Sequence, residues 1–342
     1  MAILIGIYSF FSQAVCRFKA AMVRAGLKKP WKAPFPVVSV GNLTLGGSEK
    51  TPLAIELLAF FLGLGRKPAL VTRGYGGRWE KTGGVLSDGQ NVLGTWEDGG
   101  DEPFMAARRV PGAGVFIGKR RARSCLKAKV MGFDLAVLDD GFQHIKLARD
   151  MDIVLYDGTA AGGRREGLSA LKRADIILVK KDGAGTLGRI QNRFPAAVYE
   201  YAVEARGLRL LETGERIAPI ELAGKAVLAF CGIARPARFF SMLEENGLRP
   251  RTKLTFPDHF PYPDRALERI AGACEADGIE ALVTTEKDAV KILGRSWPMA
   301  ATPFYALEIG LILPAAFFDK VRTAAAQDGR GSYMVAPQPG SL

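Results

Sequence analysis

The chain has 342 residues, 48% of them hydrophobic and 24% charged, with a formal net charge of +12. This length and balance predict a globular protein of two bodies, and the four scattered cysteines (Cys16, Cys125, Cys231 and Cys274) form no C-x-x-C pair, which excludes a disulfide framework or a zinc knuckle and fits a reducing cytoplasm. The excess of positive charge points to an anionic partner, a phosphorylated substrate or an acidic membrane surface; the basic residues are dispersed and no nucleic-acid motif accompanies them, so nucleic acid is not expected.

The first 26 residues, "MAILIGIYSFFSQAVCRFKAAMVRAG", begin apolar and then acquire Arg17, Lys19 and Arg24. The apolar part is shorter than the ~20 residues a spanning helix needs, and a secretory signal would carry its charge ahead of the apolar core. Ile3, Ile7, Phe11, Val15, Phe18 and Met22 recur at helical spacing. Such a helix can lie in a membrane interface with its basic residues among acidic headgroups, or pack on its own domain. The expectation taken forward is a membrane-interface helix over 1–26.

After the basic connector "KKPWKAP", the run "FPVVSVGN" reads as a buried strand, and "TPLAIELLAFFLGLG" as a helix that stops at glycine. "KPALVTRGYGG" is a second strand with a glycine-rich turn. "GAGVFIG", "DLAVLDDG", "MDIVLYDG" and "ADIILVKK" repeat the pattern of an apolar strand ending in polar or acidic residues, with helical stretches such as "RRARSCLKAKVMG" between them. Alternating strands and helices imply a mostly parallel sheet with ligands at its carboxyl edge. The expected organisation is a nucleotide-binding domain over 27–198, a two-stranded β linker over 199–222, a second α/β series over 223–327 and a loose tail over 328–342.

Four pieces of sequence could carry chemistry. "GNLTLGGSEKTP" has the strand–glycine turn–Lys-Thr–helix context of a phosphate-binding loop, in which backbone N–H groups hold phosphates, Lys50 reaches the terminal ones and the Thr51 hydroxyl meets Mg²⁺. Counted back from Lys50, however, the two consensus glycine positions hold Glu49 and Thr44, so an ordinary Gly-Gly turn with Ser48 capping a helix is also compatible. "LAVLDDGFQH" ends an apolar strand in Asp139 and Asp140, as a Mg²⁺-holding Walker B element requires. The only two histidines, His144 and His259, each lie near an aspartate and an aromatic, where an imidazole can serve as a base. The acidic stretch "WEDGGDEPFMAARR" brings Asp98, Asp101 and Glu102, as site residues or as a solvated turn that starts a helix.

Taken in order, "VGNLTLGG-x-x-KTP", "TRGYGG", "GDEP", "LDDGFQH", "LKRAD", "GIARPARFF", "FPDHFPYP" and "TTEKDAVKI" resemble the tetraacyldisaccharide 4′-kinase family of the lipid A pathway, from the N-terminal helix to about residue 320. The resemblance implies a P-loop (RecA-like) α/β domain joined by a two-stranded linker to a smaller α/β domain. It implies transfer of the ATP γ-phosphate to the 4′-hydroxyl of an acylated glucosamine disaccharide phosphate, at the cytoplasmic face of the inner membrane and without an obligate protein partner. Carried onto this chain, it makes Asp101 the acceptor of the sugar proton with His259 as polarising or relaying partner. Thr44, Leu45, Gly46, Gly47, Ser48, Glu49, Lys50 and Thr51 become the ATP loop, Thr51 with Asp139 or Asp140 the Mg²⁺ ligands, and Arg73, Gly74, Tyr75 and Arg120 the contacts to the lipid headgroup.

Two departures from the family pattern stand out. Gly167 replaces a usual proline, a local matter. Glu49 replaces the glycine before Lys50-Thr51, and three consequences are expected: a Cβ that is refused if the backbone there needs positive φ, a carboxylate competing for the helix N-terminus, and repulsion of ATP by up to about a hundredfold. With Asp101, His259, Lys50, Thr51 and both aspartates of "LDDG" present, an active kinase is expected. The alternatives are a lipid-binding relative with a closed nucleotide site and a different soluble P-loop ATPase or kinase.

Overall fold

A computed structural model describes residues 29–44, 49–158, 165–181, 185–295 and 302–325. The expected interfacial helix over 1–26, the tail over 328–342 and Leu45, Gly46, Gly47 and Ser48 lie outside the described residues. Among the described residues no helix is long and apolar enough to cross a membrane.

The first strand series comprises β1 (Val37–Asn42), β2 (Pro68–Thr72), β3 (Gly84–Asp88), β4 (Gly114–Ile117), β5 (Leu135–Leu138), β6 (Met151–Tyr156) and β7 (Ile176–Lys180). Helix α1 (Lys50–Gly63) follows β1, α2 (Asp101–Arg109) precedes β4, and α3 (Arg121–Val130) joins β4 to β5. The long strand β8 (Ala197–Leu210) and the two-residue β9 (Arg216–Ile217) lead to the second series: β10 (Val227–Cys231), α4 (Pro236–Glu245), β11 (Thr252–Thr255), α5 (Asp264–Asp277), β12 (Ala281–Thr285), α6 (Glu286–Ile292), β13 (Phe304–Ile312) and α7 (Ala315–Ala325). All lie in one sheet of order β11-β10-β12-β13-β8-β7-β6-β1-β5-β2-β4-β3, with β9 attached to β8. The result is the mixed, mostly parallel α/β sheet that the strand–helix alternation predicts.

The central strands are apolar along their whole length because both faces are covered. On β5, Leu135 and Val137 feed a core with α1, while Ala136 and Leu138 feed a separate core with Cys125 and Ala128 of α3. Helix α1 is apolar nearly all round because it is enclosed: Leu53, Leu57, Leu58 and Phe61 are fully buried, in the same core as Leu311 of β13 and Phe317 and Val321 of α7. The described cysteines are buried free thiols, Cys125 in the core with α3 and Cys231 and Cys274 in two further cores of the second series.

The ribbon expected over 199–222 is built differently. Its first half runs parallel to β7, from Ile176 opposite Ala197 to Lys180 opposite Tyr201. Its second half runs antiparallel to β13, from Ala202 opposite Ile312 to Leu210 opposite Tyr305, with a bulge between Glu308 and Ile309. The long partner of β8 is thus β13, about a hundred residues onward, while 211–222 supplies only β9 and a 3-10 turn at Pro219–Leu222. Sequence alternation marks a strand, but its partner is set by the return of a distant segment.

A buried clasp fixes the two series to one another. Arg109, at the end of α2, donates to Glu286 Oε1 at 2.5 Å and to the Ile309 carbonyl at 3.1 Å, and both side chains of the ion pair are largely shielded from water. Removing one partner of such a pair strands the other charge. Arg109→Met is therefore expected to destabilise the fold by about 3 kcal/mol, seen as an earlier urea midpoint, with Arg109→Met/Glu286→Leu losing less than the single variant.

Candidate active site

The site forms at the carboxyl ends of β1, β2 and β5. Asn42, the last residue of β1, donates from Nδ2 to Thr44 Oγ1 (3.1 Å) and accepts Lys50 Nζ on Oδ1 (3.1 Å), so the loop ends are tied to the strand. Lys50 also lies 3.4 Å from Asp140 Oδ1. The Thr51 hydroxyl, in the first turn of α1, sits 3.1 Å from Asp139 Oδ2 and 3.2 Å from Glu102 Oε2, and can donate to one of them at a time.

The two aspartates of "LDDG" differ in environment. Asp140 is bonded by Arg165 Nη1 at 2.6 Å to each oxygen; Lys50 and Arg165 overcome burial and bring its pKa to about 2. Asp139 is buried without a cation of its own. Burial, reinforced by Glu102 and Asp140, pushes it up to about 7, and its Oδ1 has no hydrogen-bond partner among the described residues. An orphaned carboxylate oxygen beside a threonine hydroxyl and a second carboxylate fits a hard divalent cation. The donors that suit Mg²⁺ are therefore Thr51, Asp139 and Glu102, with Asp140 committed to Lys50 and Arg165.

Across the cleft, Asp101 begins α2 and meets the second strand series. His259 Nδ1 lies 2.9 Å from Asp101 Oδ2, and Lys291 Nζ is 3.4 Å from the same oxygen, while Asp101 Oδ1 accepts the Glu102 N–H at 2.9 Å. Burial opposes ionisation of Asp101, but the His259 bond with Lys287 and Lys291 brings it down to about 2. The bond to Asp101 raises His259 above its ordinary value despite burial. Lys287 Nζ is 3.1 Å from His259 Nε2, 3.2 Å from Asp258 and 3.5 Å from Glu102. Burial disfavours its charge, but Glu102, Asp101 and Asp258 outweigh this and raise its pKa. The ammonium thus donates to Nε2, which places the proton of the neutral imidazole on Nδ1, facing Asp101.

Other expected residues divide. Tyr75 is 70% exposed with its ring 6.3 Å from that of His259, so "RGYGG" borders the dyad. Gly74 has φ +67, and a Cβ there would meet Ile117 Cγ2 at 2.4 Å and the Gly99 carbonyl at 2.6 Å, so only glycine fits. Arg73 is half exposed and bonded to Glu80 at 2.6 Å. Arg120 is exposed at the start of α3, whereas its neighbour Arg121 is 5% exposed, donates to the Gly118 carbonyl at 2.8 Å and keeps an unpartnered Nε. Asp98 does not join the site; it accepts from the Thr95 N–H and hydroxyl and pairs with Arg78.

Glu49 is left-handed (φ 49°, ψ 20°) and precedes α1, yet its side chain makes no capping bond to the helix. The carboxylate is 5% exposed and is bonded by Arg238 of α4, with Tyr201 Oη at 3.3 Å and Lys180 Nζ at 3.5 Å. The sequence names Glu102 only as a site residue or part of a solvated turn, and gives no role to Lys287, Lys291, Arg121, Lys180 or Arg238. The available signal was position: "TTEKD" straddles the carboxyl end of β12, where ligands of an open sheet gather.

A model of the tetraacyldisaccharide-1-P 4′-kinase family matches residues 1–326. A tetraacyldisaccharide 4′-kinase of Pelobacter propionicus is 36% identical over 328 residues, covering 92% of this chain and 90% of its own. One of Anaeromyxobacter sp. (strain Fw109-5) is 38% identical over 299 residues, covering 80% and 78%. The crystal structure of LpxK from Aquifex aeolicus, an "apo" form in complex with ATP, is similar with a TM-score of 0.75 and 26% identity, over 93% of this chain and 97% of that one.

The dyad has a pH signature. His259, with its folded pKa raised above 6.5, contributes stability that is complete below that value and is lost as pH rises through the folded pKa. Asp101, lowered from 3.8 to about 2, contributes stability present above 3.8 and lost as pH falls through about 2. Both contributions are complete between those two ordinary values. Followed by NMR of the ring protons, His259 is expected to titrate above 6.5, and Asp101→Asn to lower that midpoint; the chain's second histidine, His144, serves as internal control.

Proposed function

The chain belongs to the tetraacyldisaccharide-1-P 4′-kinase family, and on that premise we propose how its cleft performs the reaction. It is an ATP-dependent kinase of lipid A biosynthesis, which phosphorylates the 4′-hydroxyl of tetraacyldisaccharide 1-phosphate to form lipid IVA. The observation that carries the assignment of roles is the Asp101–His259 contact at 2.9 Å, beside the Lys50, Thr51 and Asp139 corner.

ATP lies along the 44–51 loop, with Lys50 leaving its Asp140 contact for the terminal phosphates. Thr51, Asp139 and Glu102 would hold a Mg²⁺ ion, which would supply charge neutralisation at the β- and γ-phosphates. Asp140 keeps its ion pair with Arg165. As the sugar 4′-oxygen attacks γ-phosphorus and the bond to the β-phosphate oxygen breaks, the hydroxyl proton passes to the Asp101–His259 pair. A carboxyl group with a pKa of about 2 does not hold a proton at neutral pH, so the proton comes to rest on the imidazole. Asp101 aligns the ring and balances the imidazolium, and Lys287 withdraws from Nε2 when the acceptor enters.

Tyr75, whose ring lies 6.3 Å from that of His259, receives the glycolipid headgroup together with Gly74 and Arg73 of the same turn, and Arg121 rather than the exposed Arg120 is the inward cation at the end of β4. The N-terminal sequence, apolar and then basic, together with the net charge of +12, supports docking on the cytoplasmic face of the inner membrane. The division into a P-loop domain over 27–198 and a smaller α/β domain over 223–327 belongs to the same proposal, since His259 and Asp101 come from opposite sides of it.

Incubation of the purified protein with labelled Mg·ATP and tetraacyldisaccharide 1-phosphate in detergent micelles is expected to yield labelled lipid IVA. Asp101→Ala and His259→Ala are each expected to lower kcat by about 10²–10⁴-fold while leaving KM for ATP within about threefold. A folded protein that binds the glycolipid but transfers no phosphate would overturn the kinase reading in favour of a lipid-binding relative.

A further inference from the structure

We infer that Lys180, Tyr201 and Arg238 form a holder that keeps the Glu49 carboxylate off the phosphate-binding helix, and that Arg238 is a positioning residue needed only because Glu49 is there. The inference rests on the kinase reading, in that the loop is taken to bind ATP.

A carboxylate immediately before Lys50-Thr51 endangers phosphate binding in two ways. It can sit on the N-terminal N–H groups of α1, and it can repel the nucleotide. The structure removes the first hazard: Glu49 is at the cap position of a fourteen-residue helix, yet its side chain makes no bond to the helix backbone. The second is met by charge. Arg238 bonds the carboxylate, Lys180 stands 3.5 Å from the same oxygen, and the Tyr201 hydroxyl donates to the other. The carboxylate is 5% exposed, so these donors replace water rather than compete with it.

The holder is assembled from three separate elements. Lys180 ends β7, Tyr201 is the opposing residue on β8, and Arg238 comes from α4 in the second strand series. The nearby Arg235 is paired with Asp157 at 3.4 Å. Removing Arg238 takes away the bonded cation and leaves Lys180 as the remaining charge partner at 3.5 Å. The carboxylate is then free to swing onto the helix N-terminus. A glycine at 49 has nothing to restrain, and the left-handed backbone suits it.

The test is Mg·ATP binding by isothermal titration calorimetry on the full-length protein in detergent, for the unsubstituted chain, Arg238→Ala, Glu49→Gly and the double variant. Arg238→Ala is expected to weaken binding about tenfold, the ceiling for one unneutralised charge near a phosphate being about a hundredfold. In the Glu49→Gly background the same substitution is expected to change binding less than about twofold, and Arg238→Lys in the original background is expected to retain most of the affinity. Equal weakening in both backgrounds would show that Arg238 contacts the nucleotide itself and would overturn the inference. So would no weakening in either, or an unsubstituted chain that binds no ATP when Glu49→Gly does. Because the readout is nucleotide binding, failure of phosphate transfer by the unsubstituted chain would count against the kinase reading alone. If none of the four proteins bound Mg·ATP, both would fall.

Discussion

A carboxylate and an imidazole that lie 158 residues apart in the chain meet at 2.9 Å, and that contact requires the two strand series to share one frame. The frame is the pairing of β8 with β13, reinforced by the shielded Arg109–Glu286 ion pair between α2 and α6. Those helices carry Asp101 at the first residue of one and Lys287 and Lys291 in the other, so the pair that joins the helices also sets the distance between Asp101 and those two lysines. Charge complementarity does the rest. Asp101 takes a hydrogen bond from His259 and the charges of Lys287 and Lys291, which keep it ionised in a buried position that would otherwise favour the neutral acid.

The same balance runs through the metal corner. Four acidic side chains, Glu102, Asp139, Asp140 and Asp101, crowd one end of the sheet, and they are not equivalent. Asp140 and Asp101 are each matched by cations from the protein. Asp139 is not, and it holds its charge poorly as a result. Its deficit is local and specific, one buried carboxylate with an oxygen that no described residue satisfies. A bound divalent ion would complete it and restore its ionised form.

Much of the fold was legible because buried parallel strands are apolar throughout and end in polar residues, as in "DLAVLDD" and "MDIVLYD". Lys50, Thr51 and Asp139 were candidates because their residue types at strand ends suit phosphate chemistry, whereas Asp101 and His259 were paired by the resemblance to the family. What stayed hidden depended on side-chain direction or on distant partners. Sequence does not say which of Asp139 and Asp140, or of Arg120 and Arg121, faces inward, since adjacent residues leaving a strand point to different surroundings. It does not pair β8 with β13, because alternation is a property of one strand. Nor does it reveal that Glu49 is turned into a basic holder, since Lys180, Tyr201 and Arg238 lie 131 to 189 residues away in the chain. The expectation that Glu49 would burden the loop considered that residue alone.

The continuous strand β8 has a mechanical consequence. Its first half hydrogen-bonds into one series and its second half into the other, with the bulge at Glu308/Ile309 opposite Gly207 and Ala205. Two bodies joined by a loop can pivot freely. Two bodies sharing a hydrogen-bonded ribbon cannot slide or separate without breaking the ladder, but the ribbon can be wrung along its length at little cost, most easily where the bulge interrupts it. Any closing of the cleft over a nucleotide is therefore a torsion of the ribbon rather than the swing of a hinge. In such a motion the side chains farthest from the ribbon axis travel most, and those beside it stay nearly fixed.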